Sequence, residues 1–325
     1  MNKVVVTGGS GFIGTNLVNM FLELGWGVVN YDLNPPKIES HFKFWKKIDI
    51  TERRLLIDSI RNDMPDYIVH LAARTDLNEL GSVDGYKANI EGVRNIMDSA
   101  SNLPKLKRIV LASSMLVCKL GYNPGSFDDY MPNSFYGESK VETERIIKQY
   151  QINWTIVRPT SIWGPWFGEP YKHFFDLVVK GLYFNIPEKY ASTKTYGYVE
   201  NTCNQIIRLM LSENFLVNHN YFYLGDLQPI NITNWANRIR ILNNQGKLLT
   251  LPVSLLRLAA LIGDFLNNIL RINNFPMTTF RFKNMTNDNI IEDLKRTLEI
   301  TKCGEHENLD NQILKTLKWL KNKNK

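Results

Sequence analysis

Near its N-terminus the chain reads KVVVTGGSGFIG over residues 3–14, where three valines run into a cluster of glycines. The valines predict a buried strand, and the apolar residues after the glycines recur at helical spacing. Gly25 stands where such a helix would stop, and the β-branched run that follows ends at Asp32. The segment therefore predicts a complete strand, loop, helix and strand unit.

Short β-branched runs alternate with segments of helical period through the first half of the chain. The runs that we predict to be strands include Val4–Val6, Val28–Val29, Tyr67–Leu71, Ile109–Leu111 and Thr155–Val157. This rhythm is typical of βαβ units, in which helices cover both faces of a parallel sheet. The predicted fold class is α/β, a Rossmann-type doubly wound parallel sheet with a smaller, mostly helical C-terminal lobe.

Three glycines, Gly8, Gly11 and Gly14, lie between the first predicted strand and helix. Their spacing lets the backbone turn tightly, approach a pyrophosphate and direct helix N-terminal amides at its negative charge. Asp32 is placed to accept hydrogen bonds from ribose hydroxyls and to repel a 2′-phosphate. NAD is therefore favoured over NADP. The alternative that Asp32 is only a solvated loop residue stays open, because Lys37 is near in sequence and complicates the charge argument.

Tyr136 and Lys140 are four residues apart and share one face if their segment is helical. A lysine cation near a tyrosine favours the phenolate and lowers the pKa of the phenol. Ser113 and Ser114 end a predicted strand, where a hydroxyl at the carboxyl edge of a parallel sheet faces the ligand crevice. Ser114 would donate to a substrate oxygen while Tyr136 exchanges its proton, or Ser114 would merely cap the next helix.

Composition limits the other classes of function. The chain has 44% hydrophobic and 22% charged residues, which is ordinary for a soluble globular protein. The most apolar segment, 251–270, is interrupted by Arg257 and Asp264, so we expect a helix that does not span a membrane. No leader precedes the first strand, which favours a cytoplasmic protein. The net charge of +7 is scattered and the three cysteines lie far apart, so neither a nucleic-acid partner nor a metal is expected.

Together these motifs resemble those of the extended short-chain dehydrogenase/reductases, in the NAD-dependent epimerase/dehydratase family. The resemblance covers about residues 3–225 and is looser beyond. The matching motifs, in order, are Thr7–Gly14, Asp32, Asp49-Ile50, His70–Ala73, Asn89-x-x-Gly92, Ser113-Ser114, Tyr136-x-x-x-Lys140, Arg158-Pro159 and Tyr198–Asn201. The resemblance implies an NAD-dependent enzyme that oxidises or reduces a carbon bearing a hydroxyl group.

The same resemblance implies roles for individual residues. Ser114, Tyr136 and Lys140 are the predicted catalytic residues. The predicted cofactor-binding residues are Gly8, Gly11, Phe12, Ile13, Gly14, Asp32, Asp49, Ile50, Leu71, Ala72, Ala73, Asn89, Tyr136 and Lys140. Asp49 and Ile50 would contact the adenine, and Leu71–Ala73 would line the cofactor phosphates and ribose. For Asn89 and Asp49, a helix cap or a turn is nearly as good an interpretation.

Some positions depart from the pattern of that family. Its dehydratases carry acidic residues after the strand-end serine or threonine, whereas Met115 and Leu116 stand here and cannot carry a proton, so elimination of water is disfavoured. Leu116 and Trp166 also replace the cysteine and histidine of members that invert carbons next to a ketone. Oxidation by hydride and proton transfer remains. A ketone that turns over and is reduced again gives 4-epimerisation, and a ketone that leaves gives a dehydrogenase.

The substrate is predicted from weaker signals. Nucleotide-sugar enzymes of the family commonly have asparagine where Ser161 lies and arginine where Lys194 lies. Lys194 can meet a phosphate without the bidentate geometry of arginine, and Arg281 would add a diphosphate contact; plain surface charge is an equal alternative for both. We predict a nucleotide-linked sugar, as in surface polysaccharide synthesis. A dehydrogenase like the 3β-hydroxysteroid or dihydroflavonol enzymes is the alternative, and a non-catalytic NAD sensor the third.

A crowd of tryptophans and prolines after Gly164 predicts a change of role along the chain. The predicted division is an NAD-binding Rossmann domain of 1–165 plus about 194–226, and a substrate-binding lobe of about 166–193 plus 227–325. The family resemblance also implies a homodimer formed by helices near 89–101 and 136–151. The apolar positions of those helices could equally cover the sheet of their own chain.

Overall fold

The computed structural model describes residues 1–77, 79, 81–269, 277–303 and 308–323, with the side chains of 267–269 left aside. Its strands are β1 (Lys3–Thr7), β2 (Gly27–Asp32), β3 (Trp45–Lys47), β4 (Tyr67–His70), β5 (Arg108–Ala112), β6 (Trp154–Pro159), β7 (Ser161–Trp163), β8 (Thr193–Lys194), β9 (Tyr196–Tyr198), β10 (Asn220–Leu224) and β11 (Ile230–Asn231). Its helices are α1 (Phe12–Glu23), α2 (Arg53–Asp63), α3 (Lys87–Ser101), α4 (Phe135–Ile147), α5 (Tyr171–Lys180), α6 (Val199–Leu211), α7 (Asn214–Val217), α8 (Ile232–Leu242), α9 (Val253–Ile269), α10 (Thr279–Thr286), α11 (Leu294–Thr301) and α12 (Leu309–Lys323).

Seven strands form one parallel sheet in the order β10-β6-β5-β4-β1-β2-β3. The strand order reverses between β1 and β4, so their carboxyl ends border the crevice where open α/β sheets bind ligands. Two shorter sheets pair β7 with β9 and β8 with β11. The prediction of a doubly wound α/β fold is confirmed.

Alternate residues of β1 serve two different cores. Val4 and Val6 pack in one cluster with residues of α1 and α6, whereas Val5 packs in another with residues of α2 and α3. All three valines are fully buried. Successive side chains of a strand point to opposite faces, so a run of valines is what a strand covered on both faces requires.

A buried ion pair holds α4 against this sheet. Arg158 on β6 donates through Nε and Nη2 to the two carboxylate oxygens of Glu144 on α4, at 2.9 and 2.7 Å, and neither side chain is exposed. The hydroxyl of Tyr130 donates to Glu144 at 2.8 Å, and the Arg158 guanidinium lies 4.3 Å from the ring centroid of Tyr221. Such a pair is tolerated in a core because both charges are matched and hydrogen-bonded.

The chain divides into two compact units. The first contains Met1–Trp166, Gly197–Leu227 and the segment of α11; the second contains Phe167–Tyr196, Gln228–Ile291 and α12. Two boundaries differ from the predicted ones, because Lys194 lies in the second unit and α11 in the first. Thr297 of α11 donates its hydroxyl to the Tyr223 carbonyl of β10 at 2.7 Å, which ties α11 to the sheet.

The second unit has an aromatic core around Trp235, which is fully buried on α8. The rings of Phe174, Phe175 and Tyr196 lie with their centroids 5.1, 5.5 and 4.8 Å from that of Trp235. Helices α5 and α8 pack together through these contacts. The mostly helical character of this part of the chain agrees with the predicted fold class.

The apolar residues of α3 pack within their own chain. Val93, Ile96 and Met97 are buried in the core on one face of the sheet, and Ile90 packs against the same cluster. Their burial is therefore explained without a partner chain, and the homodimer stays a prediction. Among the described helices, none has the length and apolarity that a membrane span requires.

The ion pair gives the first test. Glu144→Gln removes the carboxylate charge and leaves the Arg158 cation buried, so we expect the free energy of unfolding to fall by about 3–5 kcal/mol. Glu142→Gln on the same helix is the control, because its 3.8 Å contact with Arg145 is exposed and should contribute less than about 1 kcal/mol. Urea denaturation followed by circular dichroism measures both. Equal losses in the two variants would contradict this assignment.

Candidate active site

The glycine-rich loop between β1 and α1 is closed by contacts that only glycine permits. Gly8 has a φ of 74°, and a Cβ there would lie 2.7 Å from the Ala72 amide nitrogen. A Cβ at Gly14 would lie 2.1 Å from the Gly8 carbonyl oxygen. The loop can therefore fold back on α1 and approach β4 only because these positions lack side chains.

The N-terminus of α1 has the features of an anion site. Gly11 is its N-cap and offers no side chain to cap the first amides, and no acidic residue lies in the first turn. Phe12 and Ile13 open the helix and pack against the core below the loop. Helix N-terminal amides favour negative charge. Because Gly8 and Gly14 lack a Cβ, the backbone of the loop can approach a bound ligand closely. These residues fit the pyrophosphate of a dinucleotide.

Asp32 lies at the carboxyl end of β2, partly buried beside this loop. Its carboxylate accepts hydrogen bonds from the amides of Ser10 at 3.0 Å and Asn34 at 2.9 Å. Asp32 is therefore built into the loop and is not a solvated surface residue. The ammonium of Lys37 lies 3.5 Å from the Trp166 carbonyl oxygen. The predicted ribose contact of Asp32 fits this position.

The segment Leu71–Ala73 follows β4 and borders the glycine loop. Its first two amides donate to Thr7, one to the carbonyl oxygen at 3.0 Å and one to the hydroxyl at 3.3 Å. Asn89 on α3 holds the next residue, because its amide group accepts from the Arg74 nitrogen at 2.7 Å and donates to the Arg74 oxygen at 2.9 Å. Asn89 therefore clamps the loop that lines the predicted cofactor site.

Asp49 and Ile50 lie after β3 at the same edge of the sheet. The Asp49 carboxylate accepts from the amide and hydroxyl of Thr51 at 2.8 and 2.7 Å, which makes it the first residue of a turn. Ile50 packs so closely on α3 that a Cβ at Gly92 would lie 2.3 Å from its Cδ1. The structure thus shows the turn at Asp49, and the adenine contact of both residues stays a prediction.

Helix α4 brings Tyr136 and Lys140 to the carboxyl end of β5. The ammonium of Lys140 donates to the Ala112 carbonyl oxygen at 2.8 Å and lies 5.9 Å from the Tyr136 ring centroid. Ser114 is hydrogen-bonded to the Tyr136 side chain and also accepts from the Leu116 amide at 3.1 Å. The three predicted catalytic side chains therefore meet. Ser114 also caps the short turn that follows it, and its catalytic role stays a prediction.

The charge state of Tyr136 differs from the one expected from the sequence. Burial raises the pKa of Tyr136 to about 12, and the hydrogen bond from Ser114 opposes this rise. Burial also lowers the pKa of Lys140 to about 8, against the attraction of Glu144. The expectation that the lysine leaves the tyrosine with a lowered pKa is wrong, because desolvation of the phenolate dominates. At neutral pH Tyr136 is a phenol and Lys140 is mostly a cation.

Two neighbours of this site, Tyr86 and Glu144, were not predicted from the sequence. The Tyr86 ring meets the Tyr136 ring edge-on at 5.7 Å, and Glu144 lies one helical turn after Lys140. The Ser113 hydroxyl is buried and has no hydrogen-bond partner among the described residues. The spacing of Glu144 from Lys140 was visible in the sequence, whereas the position of Tyr86 depends on tertiary packing.

The two positions after Ser114, where the dehydratases of the family carry acidic residues, hold no acid or base. Met115 and Leu116 form a short 3-10 turn after Ser114. Cys118 is buried, and burial raises the pKa of its thiol, so it stays protonated at neutral pH. In the described part of the chain, no group of three His, Cys, Asp or Glu side chains has the arrangement of a metal site.

Besides Ser114, the predicted substrate-binding residues are Ser161, Lys194 and Arg281, and these three are divided between the units. Ser161 begins β7 in the first unit, while Lys194 on β8 and Arg281 on α10 belong to the second. Lys194 is 8% exposed, and burial lowers its pKa to about 8 against the attraction of Asp288. A mostly cationic, buried lysine is suited to an anionic group, and the phosphate contact stays a prediction.

Residues 4–221 match the model of the family described as the NAD dependent epimerase/dehydratase family. This chain belongs to that family. It is accordingly an NAD-dependent enzyme of the extended short-chain dehydrogenase/reductase type, and the resemblance noted in the sequence is confirmed. NAD, when bound, would be held by the glycine loop, Asp32 and the backbone of Leu71–Ala73.

The relatives of this chain are named for different substrates. The chain is 28% identical over 258 residues to a 3 beta-hydroxysteroid dehydrogenase/Delta 5-->4-isomerase of Mycobacterium tuberculosis, covering 74% of this chain and 69% of that one. It is 26% identical to the N-acetyl-alpha-D-glucosaminyl-diphospho-ditrans,octacis-undecaprenol 4-epimerase of Escherichia coli O157:H7, covering 86% of each. The fold resembles that of a Thermotoga maritima UDP-glucose 4-epimerase, with a TM-score of 0.75, 18% identity and coverage of 99% and 100%.

The glycine loop gives the second test. Gly14→Ala places a methyl group against the Gly8 carbonyl, so the loop must move and we expect NAD to bind at least about tenfold more weakly, or about 1.4 kcal/mol. Gly27→Ala is the control in the same unit, because the nearest atom to its Cβ would be 3.5 Å away. Calorimetric titration with NAD measures both. Unchanged affinity in the Gly14 variant would remove the loop from the cofactor site.

The lowered pKa of Lys140 gives the third test. Below about pH 8 the folded and unfolded chains both keep the Lys140 proton, and the folded chain bears the full desolvation cost. Between about 8 and the ordinary value of 10.5 the unfolded chain binds more protons, so the folded state gains stability as pH rises.

Lys140→Met lacks the titrating group. We therefore expect wild type to gain about 3 kcal/mol of stability relative to this variant over that pH range. Urea denaturation of both proteins at stepped pH measures the difference. If the difference does not change with pH, burial does not lower the pKa of Lys140.

Proposed function

We propose that the protein is an NAD-dependent epimerase or oxidoreductase acting at a secondary hydroxyl of a nucleotide-linked sugar. The meeting of Ser114, Tyr136 and Lys140 beside the glycine loop carries this proposal. Met115 and Leu116 supply no acid for elimination, so reversible oxidation is the chemistry that the site supports best. In 4-epimerisation the ketone is reduced again from its other face.

Each residue has a separate task in this reaction. Ser114 and Tyr136 hydrogen-bond the reacting oxygen. During oxidation the phenolate form of Tyr136, which is the minor form at neutral pH, takes the hydroxyl proton and becomes the phenol. During reduction the phenol returns this proton to the carbonyl oxygen and becomes the phenolate again. The Lys140 cation stabilises negative charge on the Tyr136 oxygen while the proton is away. The chemistry that bound NAD supplies is acceptance and return of a hydride. Glu144 keeps Lys140 protonated, because it raises the pKa of the ammonium.

A diphosphate-linked sugar is the substrate class that we infer. Lys194 and Arg281 would contact the diphosphate, and Ser161 would lie near the sugar. The Thermotoga maritima structure is that of a UDP-glucose 4-epimerase with UDP-glucose, and the Escherichia coli relative is named for a diphospho-undecaprenol sugar. We further propose a cytoplasmic homodimer with a role in surface polysaccharide synthesis.

A dehydrogenase of a hydrophobic alcohol is the second candidate. The Mycobacterium tuberculosis relative favours it, since its name specifies a 3 beta-hydroxysteroid and its match spans 74% of this chain. A non-catalytic NAD sensor is disfavoured, because a protein that only binds NAD does not need Tyr136 and Lys140 beside Ser114.

Product analysis is the fourth test. Purified protein with NAD is incubated with UDP-sugars, dTDP-sugars and a 3β-hydroxysteroid, and NADH absorbance and sugar stereochemistry by NMR are followed together. We expect inversion at C4 of a nucleotide sugar. Tyr136→Phe should lower the turnover number by about 10²–10⁴-fold, since it removes the proton-transfer group, and should leave NAD affinity unchanged.

Tyr150→Phe is the matched control, because its hydroxyl hydrogen-bonds Asp98 at 2.6 Å, away from Ser114. Turnover of the steroid alone would favour the second candidate. Full turnover by the Tyr136 variant would remove that tyrosine from the mechanism.

A further inference from the structure

Helix α9 of the second unit exposes a row of large apolar side chains. Leu255, Leu258, Leu261, Ile262 and Phe265 are each between 47% and 58% exposed. At 3.6 residues per turn they occupy an arc of about 120° on the helix surface. The opposite side of α9, with Leu256 and Ala260, is buried. The helix is therefore apolar on both sides, and one of these sides faces solvent.

The first turn of α10, which lies next to α9, carries a further exposed aromatic side chain. Phe280 is 69% exposed, and the neighbouring Thr279 amide donates to the Asp264 carboxylate of α9 at 3.2 Å. Phe280 is therefore held next to α9, and we call it and the five α9 side chains the α9 face. Exposed apolar residues are ordinary when scattered, whereas a contiguous row marks a contact surface.

Basic side chains outnumber acidic ones in the segment that contains α9 and α10. Among the described residues from 247 to 288, the cationic side chains are Lys247, Arg257, Arg281 and Lys283, and the acidic ones are Asp264 and Asp288. Lys247, Arg257 and Lys283 are exposed. Helical spacing puts Arg257 at the edge of the apolar arc. An apolar strip with basic margins is typical of helices that lie in a membrane interface.

We propose that the α9 face docks the protein on an anionic phospholipid surface. The apolar side chains enter the boundary between headgroups and acyl chains, and the exposed cations Lys247, Arg257 and Lys283 pair with lipid phosphates. At 17 residues, or about 25 Å, α9 lies along the bilayer and does not cross it. A second copy of the chain fits less well, because a two-fold contact would bring the cations of both copies together.

Vesicle sedimentation with the full chain tests this docking without substrate, so the result does not depend on the proposed activity. The vesicles are phosphatidylcholine alone, or phosphatidylcholine with about 25% phosphatidylglycerol. We expect the protein to pellet with the anionic vesicles, to pellet less with the neutral ones and to be released as salt rises. Protein that stays in solution with both vesicles would overturn the proposal.

Leu258→Glu with Phe265→Glu should weaken vesicle binding by about tenfold or more, because two inserted side chains become charged. Leu211→Glu with Phe215→Glu is the matched control, since these residues of the first unit are 47% and 79% exposed. Equal loss of vesicle binding in both double variants would overturn the proposal. It would also be overturned if the wild-type protein does not bind vesicles but forms a dimer that only the α9 double variant disrupts.

Hydrogen exchange of the wild-type chain gives a second measurement, which does not depend on whether the variants fold. Anionic vesicles should slow exchange in peptides covering 253–266 and 279–286 more than in peptides covering α6 and α7. Slowing that is spread evenly over the chain would contradict docking by the α9 face.

Discussion

The position of α4 on the sheet depends on two buried polar contacts one helical turn apart. Lys140 donates to the Ala112 carbonyl at the end of β5, and Glu144 pairs with Arg158 on β6. Both lysine and glutamate are costly to bury, so each contact is favourable only in one register of the helix. A slip by one residue would leave two charges unmatched. Tyr136, one turn before Lys140, is therefore fixed beside Ser114 by groups that do not touch its ring.

The cofactor side of the same edge depends on backbone proximity. The strand order reverses between β1 and β4. The backbone at Gly8, just after β1, lies so close to the Ala72 nitrogen that a Cβ added at Gly8 would be only 2.7 Å from it. The paired charges fix the position of α4, and the glycines, which lack side chains, allow the loop after β1 to take its position. The glycine loop and α4 both lie at the carboxyl ends of strands of the same sheet, and the proposed hydride and proton transfers would therefore share one crevice.

The hydrophobic pattern of the sequence was enough to predict those strands and helices that depend on residues close together in the chain. Valine runs and helical spacing predicted the central strands, because both faces of that sheet are buried. The short β3, with the sequence WKK, has no such pattern and depends on pairing with β2. Spacing likewise predicted the meeting of Tyr136 with Lys140. The charge state of Tyr136 was not predictable, because its burial depends on residues distant in the sequence, such as Tyr86, whose ring packs against it. The place of α11 in the first unit depends on contacts with β10.

The proton affinities at the site restrict its chemistry further. His70 is fully enclosed and bonded to Thr7, and burial lowers its pKa to about 3, so it does not act as a second base by becoming a cation. Met115 and Leu116 are also inert, so the proposed reaction assigns proton exchange to Tyr136. A single acid–base group suffices for oxidising and reducing one carbinol, whereas elimination or inversion next to a ketone requires another. In the proposed reaction, whether the ketone is retained depends on the residues that hold the substrate, because the same proton-transfer group serves both outcomes.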